Sequence, residues 1–434
     1  MSNQLETLLD GIKDYLSENN PKYLYNQKFE PGKSQVLYSG PYWDHQEVLA
    51  AINTLISGKW IVTGENVYKF ENKFSKMFGV KFSHMVNSGS SANLVLITAL
   101  KKYFGWNDGD EIIVSPVGFP TTIAPIVQNN MVPVFVDIEW DTLNFDLLKI
   151  EEKITERTKA IFVSPVLGNP PDMDFLKSLC EKHNIQLVGD SCDTLGTKWD
   201  GKPISDYYVA WSSSFYPAHH ISTGEGGMCC TNIADLKKLF VSISWWGRDC
   251  YCVGSANLLS CGTCQNRFGK WLDSYDGIID HKYVFTNMGY NLKPMDLQGS
   301  IGLVQLSKFE EIDRNRKNSK KRIESILVKY VEGLKGVESL EKSDVCWFGT
   351  PFICDNKKIK NKLVSFLEEN KIQTRNYFAG NILFHPGYSH LDSIEHYPNS
   401  NMVLDKVFFL GAAPHYDEDV FEYVENVFKE KWEN

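Results

Sequence analysis

Between about residue 45 and residue 310, short apolar runs alternate with stretches of helical period, and this alternation predicts the architecture. The segments 82–88 (FSHMVNS), 111–116 (EIIVSP), 132–138 (VPVFVDI), 160–168 (AIFVSPVLG), 185–191 (IQLVGDS) and 209–215 (VAWSSSF) read as buried strands. Residues 90–104 and 173–184 carry helical periodicity between them. Strand, helix, strand repetition predicts an α/β fold with a mostly parallel sheet covered by helices on both faces. Ligands of such sheets bind at the carboxyl ends of the strands. Leu5, Leu8, Leu9, Ile12 and Leu16 recur at helical spacing, so the chain opens with an amphipathic helix whose apolar stripe packs on the main body. The pattern divides the chain into an N-terminal helical segment (1–40), a large domain (41–310) and a smaller α+β domain (311–434), the last starting with the charged helix KNSKKRIESILVKYVEGL. A polar, Gly-containing loop at about 248–270 interrupts the alternation.

Composition narrows the function classes. With 43% hydrophobic residues the chain can build a large core, which excludes disordered and fibrous architectures. A net charge of −9 without any basic stripe argues against a nucleic-acid binder. There is no apolar run of membrane-spanning length and the acidic N-terminus does not look like a signal peptide, so the expected compartment is cytoplasmic. Thiols stay reduced there, and clustered cysteines favour metal or redox chemistry. Four of the ten, Cys250, Cys252, Cys261 and Cys264, crowd into 15 residues.

Candidate chemistry sits at strand ends. NSGSSAN (87–93) places Gly89, Ser90 and Ser91 where a helix opens; its free N–H groups can hold an anion, or the serine can simply cap the helix. Asp190 ends an apolar strand, as a cap or as a ligand to a cationic ring nitrogen. In SSSFYPAHHISTGEGG (212–227) two adjacent histidines, His219 and His220, follow an aromatic-Pro turn; their side chains must diverge, and one is a general-base candidate. The clustered thiols fit a four-cysteine zinc site, an iron–sulfur cluster that recruits the distant Cys192, or mere packing.

In order and spacing, SGKWIVTGENVYKFENKF (57–74), NSGSSAN, VGFPTTIAP (117–125), GDSCDTLG (189–196), SFYPAHH with GEGG, GYNLKPMDLQGSIGLVQL (289–306) and TRNYFAGNILFHP (374–386) resemble the sugar aminotransferase-like family typified by DegT, DnrJ and EryC1. The resemblance implies the aspartate aminotransferase-like, fold type I architecture and a pyridoxal phosphate-type cofactor. In that family the SFYP turn leads to a lysine that holds the cofactor covalently. Here His219 stands in its place, and an imidazole cannot make that bond. The nearest lysines, Lys198, Lys202 and Lys237, lie outside the motif.

A histidine at this place resembles the pyridoxamine phosphate-dependent 3-dehydrases of deoxysugar synthesis. One branch is iron-free and acts on GDP-4-keto-6-deoxymannose. The other carries a 2Fe-2S cluster, acts on CDP-4-keto-6-deoxyglucose, and spaces its ligands Cys-x57-Cys-x-Cys-x7-Cys. Cys192, Cys250 and Cys252 fit the first three positions, whereas Cys261 follows after eight residues and Cys264 after eleven. Residues 263–269 (TCQNRFG) match the branch's TC-x-x-RFG, so Cys264 is preferred as the fourth ligand, with Cys261 as its rival.

Further roles follow from the resemblance alone. Asp190 pairs with the pyridinium nitrogen, Phe119 stacks on the ring, and Gly89, Ser90 and Ser214 hold the phosphate. Asn291 reaches the cofactor phosphate of a neighbouring subunit, which implies a homodimer. His219 is the base that drives loss of the C3 hydroxyl from a nucleotide-linked 4-keto-6-deoxyhexose, with Arg375 and His220 as candidate substrate contacts. The cluster implies a partner, an NADH-dependent flavin and iron–sulfur reductase. A zinc-stabilised, non-catalytic sugar-nucleotide binder is the alternative outside enzymes. Cys180, Cys229, Cys230, Cys346 and Cys354 read as small buried hydrophobes.

Overall fold

The computed structural model describes residues 3–19, 28–57, 61–250 and 266–432. Among these, seven strands form one sheet, running across it Phe82–Val86, Gly227–Thr231, Ala210–Ser214, Gln186–Asp190, Thr158–Val163, Glu111–Val114 and Val132–Phe135. The five strands from Ala210–Ser214 to Val132–Phe135 are mutually parallel, and Gly227–Thr231 runs antiparallel to both its neighbours.

Strand side chains alternate between faces, and here both faces are buried. Ile113, Ile161, Val163, Leu187 and Trp211 enter one core with Phe70 and Phe74 of the helix Glu65–Met77 and Leu176 of Met173–His183. Ile112, Val114, Ala160, Phe162, Val188 and Ala210 enter the other, with Val95 and Leu96 of Gly89–Phe104 and Phe240 of Ala234–Ser244. A second, four-stranded sheet, Leu334–Gly336, Gly349–Cys354, Val407–Gly411 and Arg375–Asn376 in that order, carries its own core around Phe352, Leu363, Phe408 and Val424.

Three sequence expectations change. The strand Gly227–Thr231 (GMCCT), with every residue buried, is absent from the strands the apolar pattern predicts, because glycine and two cysteines do not look like a strand. The division placed at residue 310 falls inside one unbroken helix, Asp296–Tyr330. Its early residues Leu306, Phe309 and Ile312 belong to a core of the large sheet, and Ile323, Ile326 and Leu327 to that of the small one. Among the described residues of the segment 1–40 only Asn3–Asn19 is helical; Phe29 and Val36 pack in the small-sheet core, and Val36 bridges Ile372. Along the first helix Leu16 is buried and Leu5, Leu9 and Ile12 are half-buried, whereas Leu8 faces outward. Cys180, Cys229, Cys230, Cys346 and Cys354 are all buried.

Candidate active site

The carboxyl ends of the parallel strands open into a cleft of ≈ 790 Å³ whose far wall comes from the small sheet. Gly89, Ser90, Phe119, Asp190, Ser214 and His219, brought from separate chain segments, all line it, as does Arg375 on the opposite side.

Ser88 caps the helix Gly89–Phe104 by accepting the Ser91 N–H at 3.1 Å, and Gly89 and Ser90, first-turn residues whose N–H donors have no partner within the helix, line the cleft. A helix start of this kind attracts an anion through those donors and through the dipole. The cradle is tight. A Cβ on Gly89 would lie 2.4 Å from the Ser214 Cβ and 3.1 Å from the Cys192 sulfur, and one on Gly227 would lie 2.2 Å from the Ser88 carbonyl oxygen. Gly89→Ala is therefore expected to weaken pyridoxamine phosphate binding at least ~10-fold while the circular dichroism spectrum is unchanged. Unaltered affinity in an absorbance titration would remove the phosphate from this helix end.

Asp190 is 5% exposed and its carboxylate is anchored on one side. Its Oδ2 accepts from Thr122 Oγ1 at 2.6 Å and Asn93 Nδ2 at 2.9 Å, and its Oδ1 accepts the Cys192 N–H at 3.3 Å. Asn93 is itself fixed by Ser212 Oγ, which donates to its side-chain oxygen at 2.5 Å. Sequence reasoning misses Asn93 and Thr122, although both sit inside quoted motifs. Such a held carboxylate in a low-dielectric cleft suits a cationic ring nitrogen. Phe119, half exposed to the cleft, meets Phe378 edge-on at 6.0 Å and offers an aromatic face.

His219 sits in the turn after Ala210–Ser214, its Nδ1 3.2 Å from Asp193 Oδ1, at ion-pair distance but outside hydrogen-bond geometry. Burial raises the Asp193 pKa, while the imidazole beside it acts the other way. A carboxylate next to Nδ1 favours the proton on that nitrogen, which leaves Nε2 as the basic site. Sequence reasoning misses Asp193 too, although it sits inside the quoted motif GDSCDTLG. Arg375 lies with its guanidinium 4.0 Å over the Tyr38 ring, at the rim.

His220 is a correction. The resemblance makes it a candidate substrate contact, but it is 2% exposed, absent from the cleft wall, and its Nε2 lies 2.8 Å from the Cys346 carbonyl oxygen. Burial, with the nearby Arg316, lowers its pKa well below the usual range, so it is a neutral core group. Neighbouring side chains in a turn diverge, and only one of the pair reaches the cleft.

Asn291 is exposed, outside this cleft, and its side-chain oxygen accepts from Lys293. Cys192 lines the cleft, and burial together with Asp190 raises its thiol pKa. Cys250 is buried at the end of a described segment; Cys252, Cys264 and the rival Cys261 lie outside the described residues. Among the described residues no three His, Cys, Asp or Glu side chains converge as a metal site. The anion cradle, the anchored Asp190 and the aromatic face do fit a pyridoxal-type cofactor.

The profile of the DegT/DnrJ/EryC1/StrS aminotransferase family matches residues 43–429. The lipopolysaccharide biosynthesis protein RfbH of Salmonella typhimurium is 36% identical over 98% of each chain. The dTDP-4-dehydro-2,6-dideoxy-D-glucose 3-dehydratase of Saccharopolyspora spinosa is 35% identical over 96% of this chain and 90% of its own. A solved structure of Escherichia coli GDP-4-keto-6-deoxy-D-mannose-3-dehydratase with bound hydrated PLP superposes with a TM-score of 0.79 at 27% identity, covering 91% of this chain and 99% of that one. The fold is thus the α/β, fold type I architecture of pyridoxal phosphate-dependent aminotransferases, as the motifs implied.

Proposed function

We propose, from the premise that this chain belongs to the DegT/DnrJ/EryC1/StrS aminotransferase family, that it is a pyridoxamine phosphate-dependent 3-dehydrase of a nucleotide-linked 4-keto-6-deoxyhexose. The observation that carries this reading is the base: His219 lines the cleft, and among the described residues no lysine does. The net reaction removes the C3 hydroxyl as water and takes up two electrons and two protons, giving a 3-deoxy sugar. The expected substrate is CDP-4-keto-6-deoxyglucose.

When bound, pyridoxamine phosphate supplies an amine for the sugar ketone and a protonated ring that delocalises charge. The chain's own residues do the rest. The start of Gly89–Phe104, with Ser90 and Ser214, binds the phosphate; Asp190 holds the proton on the ring nitrogen; Phe119 offers a stacking face. His219 takes and returns a proton at Nε2, with Nδ1 kept toward Asp193. Arg375 at the rim is the candidate for a negatively charged part of the sugar nucleotide.

The resemblance of Cys192, Cys250 and Cys252 to the iron–sulfur branch, with Cys264 preferred to Cys261 as the fourth ligand, supports a 2Fe-2S centre that these thiolates would hold and that would supply one-electron chemistry, with an NADH-dependent flavin and iron–sulfur reductase as the partner. Asn291, exposed and away from its own cleft, is available to the cofactor phosphate of a second subunit, which supports a homodimer.

The test is anaerobic turnover with CDP-, dTDP- and GDP-linked 4-keto-6-deoxysugars, with and without such a reductase, beside iron and zinc analysis of the purified protein. Two iron atoms per chain and turnover that requires the reductase are expected. Equimolar zinc without iron would sink the redox part, and reductase-independent product with no iron would move the chain to the iron-free dehydratases. Cys264→Ser is expected to lose the iron that Cys261→Ser keeps.

A further inference from the structure

Arg316 lies behind the His219 turn and is absent from the cleft wall; it is 1% exposed. Its Nη2 donates to the carbonyls of Ala218 at 3.2 Å and His219 at 2.9 Å, and its Nη1 to those of Trp347 at 3.3 Å and Phe348 at 3.0 Å. Nε has no hydrogen-bond partner among the described residues. Burial lowers its pKa to about 10, with Asp193 acting the other way through space, which leaves the group charged at neutral pH. The neighbouring imidazoles add no charge: His220 is neutral, and burial lowers His415 to about 4.

A buried cation whose hydrogen bonds go only to neutral carbonyls is a costly way to stabilise a core, since an apolar side chain of similar size avoids the desolvation. What a planar fork supplies instead is geometry, several donors in fixed relative directions. The four carbonyls belong to just two segments. One carries the base; the other carries Phe348, whose ring meets the His219 ring at 5.1 Å between centroids. Ser39 Oγ donates to the same Ala218 carbonyl at 2.8 Å. No covalent bond ties an imidazole to the cofactor, so its aim must come wholly from the protein around it, and small misplacement of a reacting group is expensive.

We infer that Arg316 is a positioning residue for the base: its fork locks the His219 turn from the large domain onto the Phe348 segment of the small sheet and so sets the direction of the imidazole. The inference rests on the reading of His219 as the base. It makes the active site depend on both sheets even though the residue itself touches neither cofactor nor substrate.

The test is Arg316→Lys in the full-length, cofactor-loaded protein, which keeps the charge but replaces the fork with a single point of donation. The expected result is a fall in kcat of at least ~10-fold, with the sugar-nucleotide KM within about 2-fold and the pyridoxamine phosphate Kd unchanged. In a His219→Ala background the same substitution is expected to have no further effect on the residual rate, because coupled residues do not add. Ser39→Ala, a milder change at the same carbonyl, is expected to lower kcat in the same pattern by a few-fold, and serves if Arg316→Lys does not fold. A wild-type kcat in the folded variant, or an equal loss with and without His219, overturns the assignment. Full activity of His219→Ala itself would instead bring down the base reading and the inference with it.

Discussion

His219→Lys is expected to lose dehydration by ~10²–10⁴-fold, the usual contribution of a positioned base, and to become a protein to which borohydride fixes pyridoxal phosphate covalently. The substitution restores a primary amine at the one cleft position where the family carries it. Asp193, 3.2 Å from the present imidazole, remains to pair with the new ammonium, so the change introduces a cation beside an existing carboxylate. His219→Asn separates the two effects, because it removes the base without supplying an amine. It should show the same loss of activity and no fixation. Mass spectrometry of the reduced protein and product analysis by chromatography read both outcomes. Retention of dehydration in either variant would end the base assignment. A lysine variant that never fixes cofactor would place position 219 out of its reach.

The second large effect is expected at Asp190. Asn is nearly isosteric, and its side-chain oxygen can keep the bonds from Thr122 Oγ1 and Asn93 Nδ2 that now stand at 2.6 and 2.9 Å. The fold should therefore survive. What disappears is the negative charge proposed to keep the ring nitrogen protonated, which an amide turned toward that nitrogen would not replace. Removing one preorganised electrostatic partner of this kind costs about 10²–10³-fold in kcat. The cofactor's absorption as a function of pH supplies an independent readout: in Asp190→Asn its ring should lose the proton at a lower pH than in the wild type. A kcat within a few-fold of wild type, with an unchanged spectrum, would detach Asp190 from the ring.

Much of the sheet and of the cleft is legible in the order of the residues. Thr158–Val163 and Gln186–Asp190, inside the sheet, are built around short apolar runs and stand out, as does the helix opened by Gly89. Gly227–Thr231 (GMCCT) does not, since it holds a glycine and two cysteines and only one β-branched residue, Thr231. Motif residues at strand ends converge on the cleft, yet their supports are hidden. Asn93 looks like one more polar residue in a helix start, and only the fold sets it against an aspartate 97 positions away. Arg316 precedes a charged stretch and reads as a solvated face; its burial comes from the crossing of two segments that sequence periodicity cannot juxtapose. His220 misleads for the opposite reason: the motif gives two histidines equal standing, and the turn gives the cleft to one.

The helix Asp296–Tyr330 limits how the two sheets can move against each other. At about 1.5 Å per residue its 35 residues form a rod of roughly 52 Å, and each end is cemented into a different core. A hinge between the two sheets cannot pass through it without breaking hydrogen bonds in mid-helix. A chain severed near residue 310 would leave two half-helices, each holding on to only one of the two cores that the intact helix joins.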